Sequence, residues 1–100
     1  MAEARLLEDD SGCLRLEGEL SFATVPAMVR RGVALVSRCP TEVTVDLGGV
    51  RRADSAGLAL MVEWMRAARR HGKGIVFRNM PAQMQAMARV SDLHHILPLA

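Results

Sequence analysis

Apolar and polar residues alternate along this chain with two different periods, and the switches between those periods mark its elements. Residues 5–7 read as a short first strand that ends at the turn-like Asp9-Asp10-Ser11-Gly12. Cys13-Leu14-Arg15-Leu16-Glu17 alternates apolar and polar, the period of a half-buried strand, and Gly18 closes it. The period then lengthens. Val25, Met28, Val29, Val33 and Val36 recur at spacings of three and four, with Arg30, Arg31 and Arg38 off that stripe. Thr24 is placed to cap this helix, Pro26 falls in its first turn, where a missing N–H costs nothing, and Pro40 ends it.

The β-branched run 42–47 predicts another strand, followed by a loop at Gly48-Gly49. A helix over 55–71 follows, with Leu58, Met61, Val62, Met65 and Ala68 on one face. Its basic last turn, Arg69-Arg70-His71, suits the negative end of the helix dipole, and Gly72 stops it. Residues 74–78 form a further strand. Pro81 opens a third helix with a core stripe of Met84, Met87 and Ala88, and Ser91-Asp92 is placed to cap a final short turn. Strands alternating with helices imply an α/β domain. The unit from strand 42–47 through helix 55–71 to strand 74–78 has βαβ length, so those two strands should be parallel, and the earlier strands should add antiparallel or mixed pairs.

At 100 residues, 50% of them hydrophobic and 24% charged, the chain has the size and make-up of one globular domain rather than a disordered segment. Cys13 and Cys39 belong to no ligand motif and read as partly buried thiols. The apolar run 58–62 is cut at Glu63, well short of the 18 or so residues a membrane span needs. The acidic start is the reverse of a secretory signal, so the expectation is a soluble, cytoplasmic protein without membrane insertion. Residues 1–50 carry five arginines against eight acids, and residues 51–100 eight basic residues against three acids. That asymmetry reads as a solvated helix face. With only 3% aromatics for base stacking, nucleic acid is not expected as a partner.

The junction between strand 42–47 and helix 55–71 is where chemistry would sit. Asp54 and Ser55 are favoured capping residues for the unpaired N–H groups of a helix start, and an exposed hydroxyl there also meets a positive local field. Gly57 permits close approach. Gly48-Gly49 is not followed by the Gly-Lys-Ser/Thr of a phosphate-binding loop, so no nucleotide is expected on this chain. His71, His94 and His95 are its only histidines. Adjacent His94 and His95 should point to different sides, making a poor metal pair, and no acid–base constellation stands out for catalysis.

The strand 43–47, then Gly49-Val50, then Ala53-Asp54-Ser55-Ala56-Gly57-Leu58 resembles the signature of STAS domains, shared by sulfate transporters and anti-sigma factor antagonists. In element order the resemblance runs from about Cys13 to Leu97. The run Gly57-Leu58-Ala59-Leu60 and the Met/Ala-rich third helix followed by Leu93 and Leu97-Pro98 are similar to the MlaB-like group within that family. The resemblance implies a single STAS domain over 1–100, a small mixed β-sheet with helices packed mainly on one face. It implies a non-catalytic, cofactor-free accessory subunit. Such a subunit binds the cytoplasmic, MlaF-like ATPase of a Gram-negative phospholipid ABC transporter with its permease and substrate-binding subunits. The alternative is an anti-sigma factor antagonist. In those antagonists the phosphorylated Ser or Thr directly precedes the motif glycine, and here that position is Ala56; Ser55 stands one residue earlier.

The partner surface is expected at Arg52, Asp54, Ser55, Ala56, Gly57, Leu60 and Trp64. Leu60, Trp64 and Ala67 form a second apolar stripe beside the core face, with Arg52, Arg66 and Arg70 as a polar rim. From the sequence, Trp64 reads equally as an interface anchor or as part of a wide core stripe.

Overall fold

The computed structural model describes residues 3–8, 13–39 and 42–100. Its elements are β1 (Ala4–Glu8), β2 (Cys13–Leu20), α1 (Val25–Arg38), β3 (Glu42–Ala53), α2 (Ser55–Arg70), β4 (Gly74–Arg78) and α3 (Ala82–Val90), then a 3₁₀ turn at Leu93–His95. The expected turn at Asp9-Asp10-Ser11-Gly12 and the stop at Pro40 lie outside the described residues. The strands lie in the order β1-β2-β3-β4. β1 pairs antiparallel with β2, whereas β2, β3 and β4 run parallel. Parallel neighbours need long crossovers, and α1 and α2 supply them.

Strand alternation decides which face is covered. Leu14, Leu16, Leu20, Val43, Val45, Leu47, Ile75 and Phe77 are buried, while Arg15, Glu17, Thr44, Asp46 and Val76 between them remain partly exposed. The three helices of the described residues therefore cover one face, as the resemblance to STAS domains implies. On the other face Arg15 Nη1 donates to Asp46 Oδ2 at 2.8 Å and Arg15 Nε to Glu17 Oε2 at 3.1 Å. Asn79 and the Gly48 N–H also donate to Asp46, and with Arg15 they hold its carboxyl below the usual carboxylate range.

Two strands run further than their alternation suggests. Gly18 continues β2 rather than closing it. Its φ is +95°, and a Cβ there would meet the Glu3 carbonyl oxygen, so the position demands glycine. Gly48-Gly49, expected as a loop, lies inside β3. The pairing passes from Arg15↔Asp46 to Glu17↔Gly49, and from Gly18↔Val50 to Glu19↔Arg52. Each step inserts one extra residue in β3, which makes two bulges. They turn the period of two into a period of three, so that Leu47, Val50 and Ala53 all face the core. The bulged end delivers the chain to the start of α2.

α1 also faces the sheet at a different angle from the expected one. Its buried residues are Val25, Met28, Gly32, Leu35 and Val36, and Val29 and Val33 are only partly buried. Thr24 makes no side-chain cap; its hydroxyl instead donates to Glu19 O at 2.8 Å and accepts from Ser21 N at 3.0 Å. Cys39 is buried rather than only partly so, and that burial pushes its thiol pKa up.

Candidate functional site

Asp54 is the residue that organises the β3–α2 junction. Its own N–H donates to Leu20 O at 3.0 Å, adding a last rung between β2 and the end of β3. Its Oδ1 accepts from Ala56 N at 2.8 Å and its carbonyl from Gly57 N at 3.0 Å. Two of the N–H groups that a helix start leaves unpaired are thus satisfied by one residue. Asp54 rather than Ser55 is the cap, and the backbone donors of Ala56 and Gly57 are not turned to an outside anion. Gly57 packs tightly: a Cβ on it would lie 3.2 Å from Leu20 Cβ and 3.3 Å from Ala53 Cβ, which seats the first turn of α2 on the ends of β2 and β3.

This capping separates the two junction residues energetically. Asp54→Ala is expected to cost about 0.5–2 kcal/mol of folding stability. Ser55→Ala, at an exposed position without the capping bond, is expected to stay within about 0.5 kcal/mol of wild type. Urea unfolding of the two variants checks both values. An equal loss in the two would return the capping role to Ser55.

Ser55 stands exposed between two clefts. On one side Ser55 and Leu58 of α2 face Ala86, Met87, Val90 and Ser91 along α3 and its end, forming a mostly apolar groove. Val90 is 90% exposed, far more than an isolated core residue would be, while Leu58 is buried at the α2 wall. On the other side Arg52, Asp54, Ser21 and Gln83 line a polar cleft, and Gln83 Oε1 accepts from Ala53 N at 3.4 Å. The arrangement sets a hydroxyl at the edge of an apolar trough and a guanidinium in the separate polar cleft. Neither cleft is lined by histidine or cysteine; two carboxylates, Glu19 and Asp54, line the polar cleft, and Asp54 is engaged in capping.

The expected partner surface is therefore divided. Arg52 and Ser55 are exposed and Asp54 is half-buried. Ala56 and Gly57 are buried against the sheet. Leu60, Trp64 and Ala67 are 0% exposed and cannot form an outward anchor. The reason is α1, which packs directly on this stripe. Trp64 lies against Gly32, where any Cβ would collide with the indole, and its Nε1 donates to Val29 O at 3.4 Å. The exposed side of α2 runs instead through Ser55, Ala59, Arg66 and Arg70, with Arg66 paired to Glu63 at 3.2 Å.

Sequence reasoning missed Val90 as a groove wall. Its signal was present: Val90 continues the spacing of Met87 by three and has no place on the Met84/Ala88 core stripe. His94 and His95 correct another expectation, because their ring centroids lie only 3.8 Å apart. Backbone directions diverge in a 3₁₀ turn, but imidazole rings reach far enough for their side-chain torsions to bring them together.

The family described as "Mlab, STAS domain" matches residues 4–98. The fold is shared with several solved structures. An anti-sigma factor antagonist from Mycobacterium paratuberculosis has a TM-score of 0.82 at 22% identity, covering 97% of this chain and 85% of that one. The anti-sigma factor antagonist SpoIIAA in its unphosphorylated form has a TM-score of 0.75 at 16% identity, covering 98% and 88%. An anti-sigma-factor antagonist (STAS) domain protein from Planctomyces limnophilus has a TM-score of 0.73 at 17% identity, covering 100% and 90%. No curated protein sequence matches. At these identities the structural likeness establishes the fold alone. No helix of the described residues is long and apolar enough to cross a membrane.

Proposed function

The chain belongs to the MlaB-type STAS domain family, and from that premise we propose that it is a non-catalytic accessory subunit of an Mla-type phospholipid-transporting ABC complex. In this reading it binds the cytoplasmic ATPase subunit and supports its assembly or activity in maintaining outer-membrane lipid asymmetry. It is held at the inner membrane through the permease and substrate-binding assembly. The observation that carries the reading is the family match over residues 4–98, and the exposed apolar groove bordered by Ser55 supports it. The absence of a hydroxyl at Ala56 supports the same choice, since that position directly precedes the motif glycine.

Anti-sigma factor antagonism is the second reading, and Ser55 favours it in one respect. Its exposed hydroxyl at a helix start is accessible to a kinase, and a phosphate there would suit the dipole. The partners separate the two readings. Solubilised from native membranes, the chain is expected to bring down a P-loop ATPase together with membrane subunits. Calorimetry is expected to detect ATP binding only after that ATPase is present. Recovery of an anti-sigma kinase that labels Ser55, with loss of binding after labelling, would establish the second reading instead.

A further inference from the structure

Asp92, His94 and His95 follow α3 in a single turn. Asp92 takes a left-handed conformation, φ +60°, which bends the chain so that its carboxylate meets the histidine three residues on. His95 Nε2 lies 3.5 Å from Asp92 Oδ1. The two imidazoles overlap at 3.8 Å with an interplanar angle of 40°. One ligand atom from each of the three residues falls within 4.8 Å of the other two.

These distances approach those of a metal site. With bonds of about 2.0–2.1 Å, a tetrahedral ion sets neighbouring ligand atoms roughly 3.4 Å apart, so the Asp92–His95 edge already has that length. The remaining edges are no longer than 4.8 Å. His94 supplies a further observation. Its Nδ1 is shielded from solvent yet has no hydrogen-bond partner, and a shielded polar atom without a partner costs stability. A cation bound through that nitrogen would supply its missing partner.

We propose that Asp92, His94 and His95 form a binding site for one divalent transition-metal ion of the zinc class. Two imidazoles and one carboxylate select zinc, cobalt, nickel or copper over magnesium and calcium, which prefer oxygen ligands. Three protein ligands leave a coordination position for water, and the side chains of Asp92 and His95, 81% and 71% exposed, leave that position open to solvent. Val90 and Ser91, immediately before the turn, line the groove beside Ser55. A bound ion thus fixes the segment that leaves one wall of that groove. The proposal stands on these three side chains and does not depend on which partner the groove receives.

Zinc titration by calorimetry into the untagged, full-length chain is expected to show one saturable site per molecule. His94→Gln and His95→Gln should each weaken it by roughly tenfold or more, and His71→Gln, at the distant end of α2, should leave it unchanged. Zinc should raise the thermal midpoint of the wild type and not that of the two variants. Because these side chains are not in the core, circular dichroism should show both variants folded. In imidazole NMR spectra the His94 and His95 signals should move with zinc while His71 stays in place. No saturable binding overturns the site, as does binding that survives both substitutions or is lost in His71→Gln.

Discussion

Trp64→Ala is expected to remove about 3–5 kcal/mol of folding stability, the largest loss of any single substitution considered for this chain. The indole is fully buried where α1 crosses α2, and deleting it opens a cavity there while leaving Val29 O without the indole N–H. Domains of this size are commonly stable by only about 5–15 kcal/mol, so the variant should unfold at far lower urea concentration or fail to accumulate. Gly32 makes the argument specific. At an open site within a helix, Gly→Ala favours folding by about 1 kcal/mol. Here a Cβ at Gly32 would collide with the indole, so Gly32→Ala should reverse that sign and destabilise. Gly32→Ala combined with Trp64→Leu should lose less than the sum of the single changes, because the smaller side chain relieves the collision. Urea denaturation of the four proteins measures the coupling. Additive losses would show that the two residues do not share one packing site, and a stable, folded Trp64→Ala would return Trp64 to the surface.

The same pair shows where sequence reading stops. The existence and order of the strands and helices were legible because the change from period two to period three or four, with Pro26, Gly72 and Pro81 as punctuation, is written into neighbouring residues. The orientation of Leu60-Trp64-Ala67 is not a local property. A second apolar stripe faces solvent or protein according to where α1 docks, and the clue lay 32 positions away, in a glycine at the centre of an otherwise amphipathic helix. The length of β3 was hidden for a different reason. Its two bulges break the alternation that identifies strands, and Gly48-Gly49 imitates a turn while remaining paired to β2. At the junction the residue types were legible but their division of labour was not. Asp54 and Ser55 are both capable caps, and only the bond from Ala56 N to Asp54 Oδ1 assigns the role and leaves Ser55 outward.

With Trp64 inside, partner binding should depend on the groove between α2 and α3, and charges placed there should separate binding from folding. Val90→Asp alters a side chain that is 90% exposed, so its effect on stability should stay within about 0.5 kcal/mol. Ser55→Glu should be similarly mild in the isolated chain, since negative charge suits a helix start. Ser55→Arg carries the opposite sign of charge and tests whether the effect follows from charge burial or from one electrostatic polarity. When a partner closes over the groove, each new charge must lose water without gaining a companion, at a cost of several kcal/mol. All three variants should therefore weaken binding to the ATPase subunit proposed above as the partner by at least about a hundredfold, which corresponds to roughly 2.8 kcal/mol. Ala27→Asp provides the control: it lies on α1, which packs over β1 at the opposite edge of the sheet, and it should bind as wild type does. Thermal melts of the free variants, followed by affinity measurements against the reconstituted ATPase, test this directly. Folded groove variants that bind at wild-type strength would exclude this face, whereas a selective loss in Ala27→Asp would place the partner over α1 and β1.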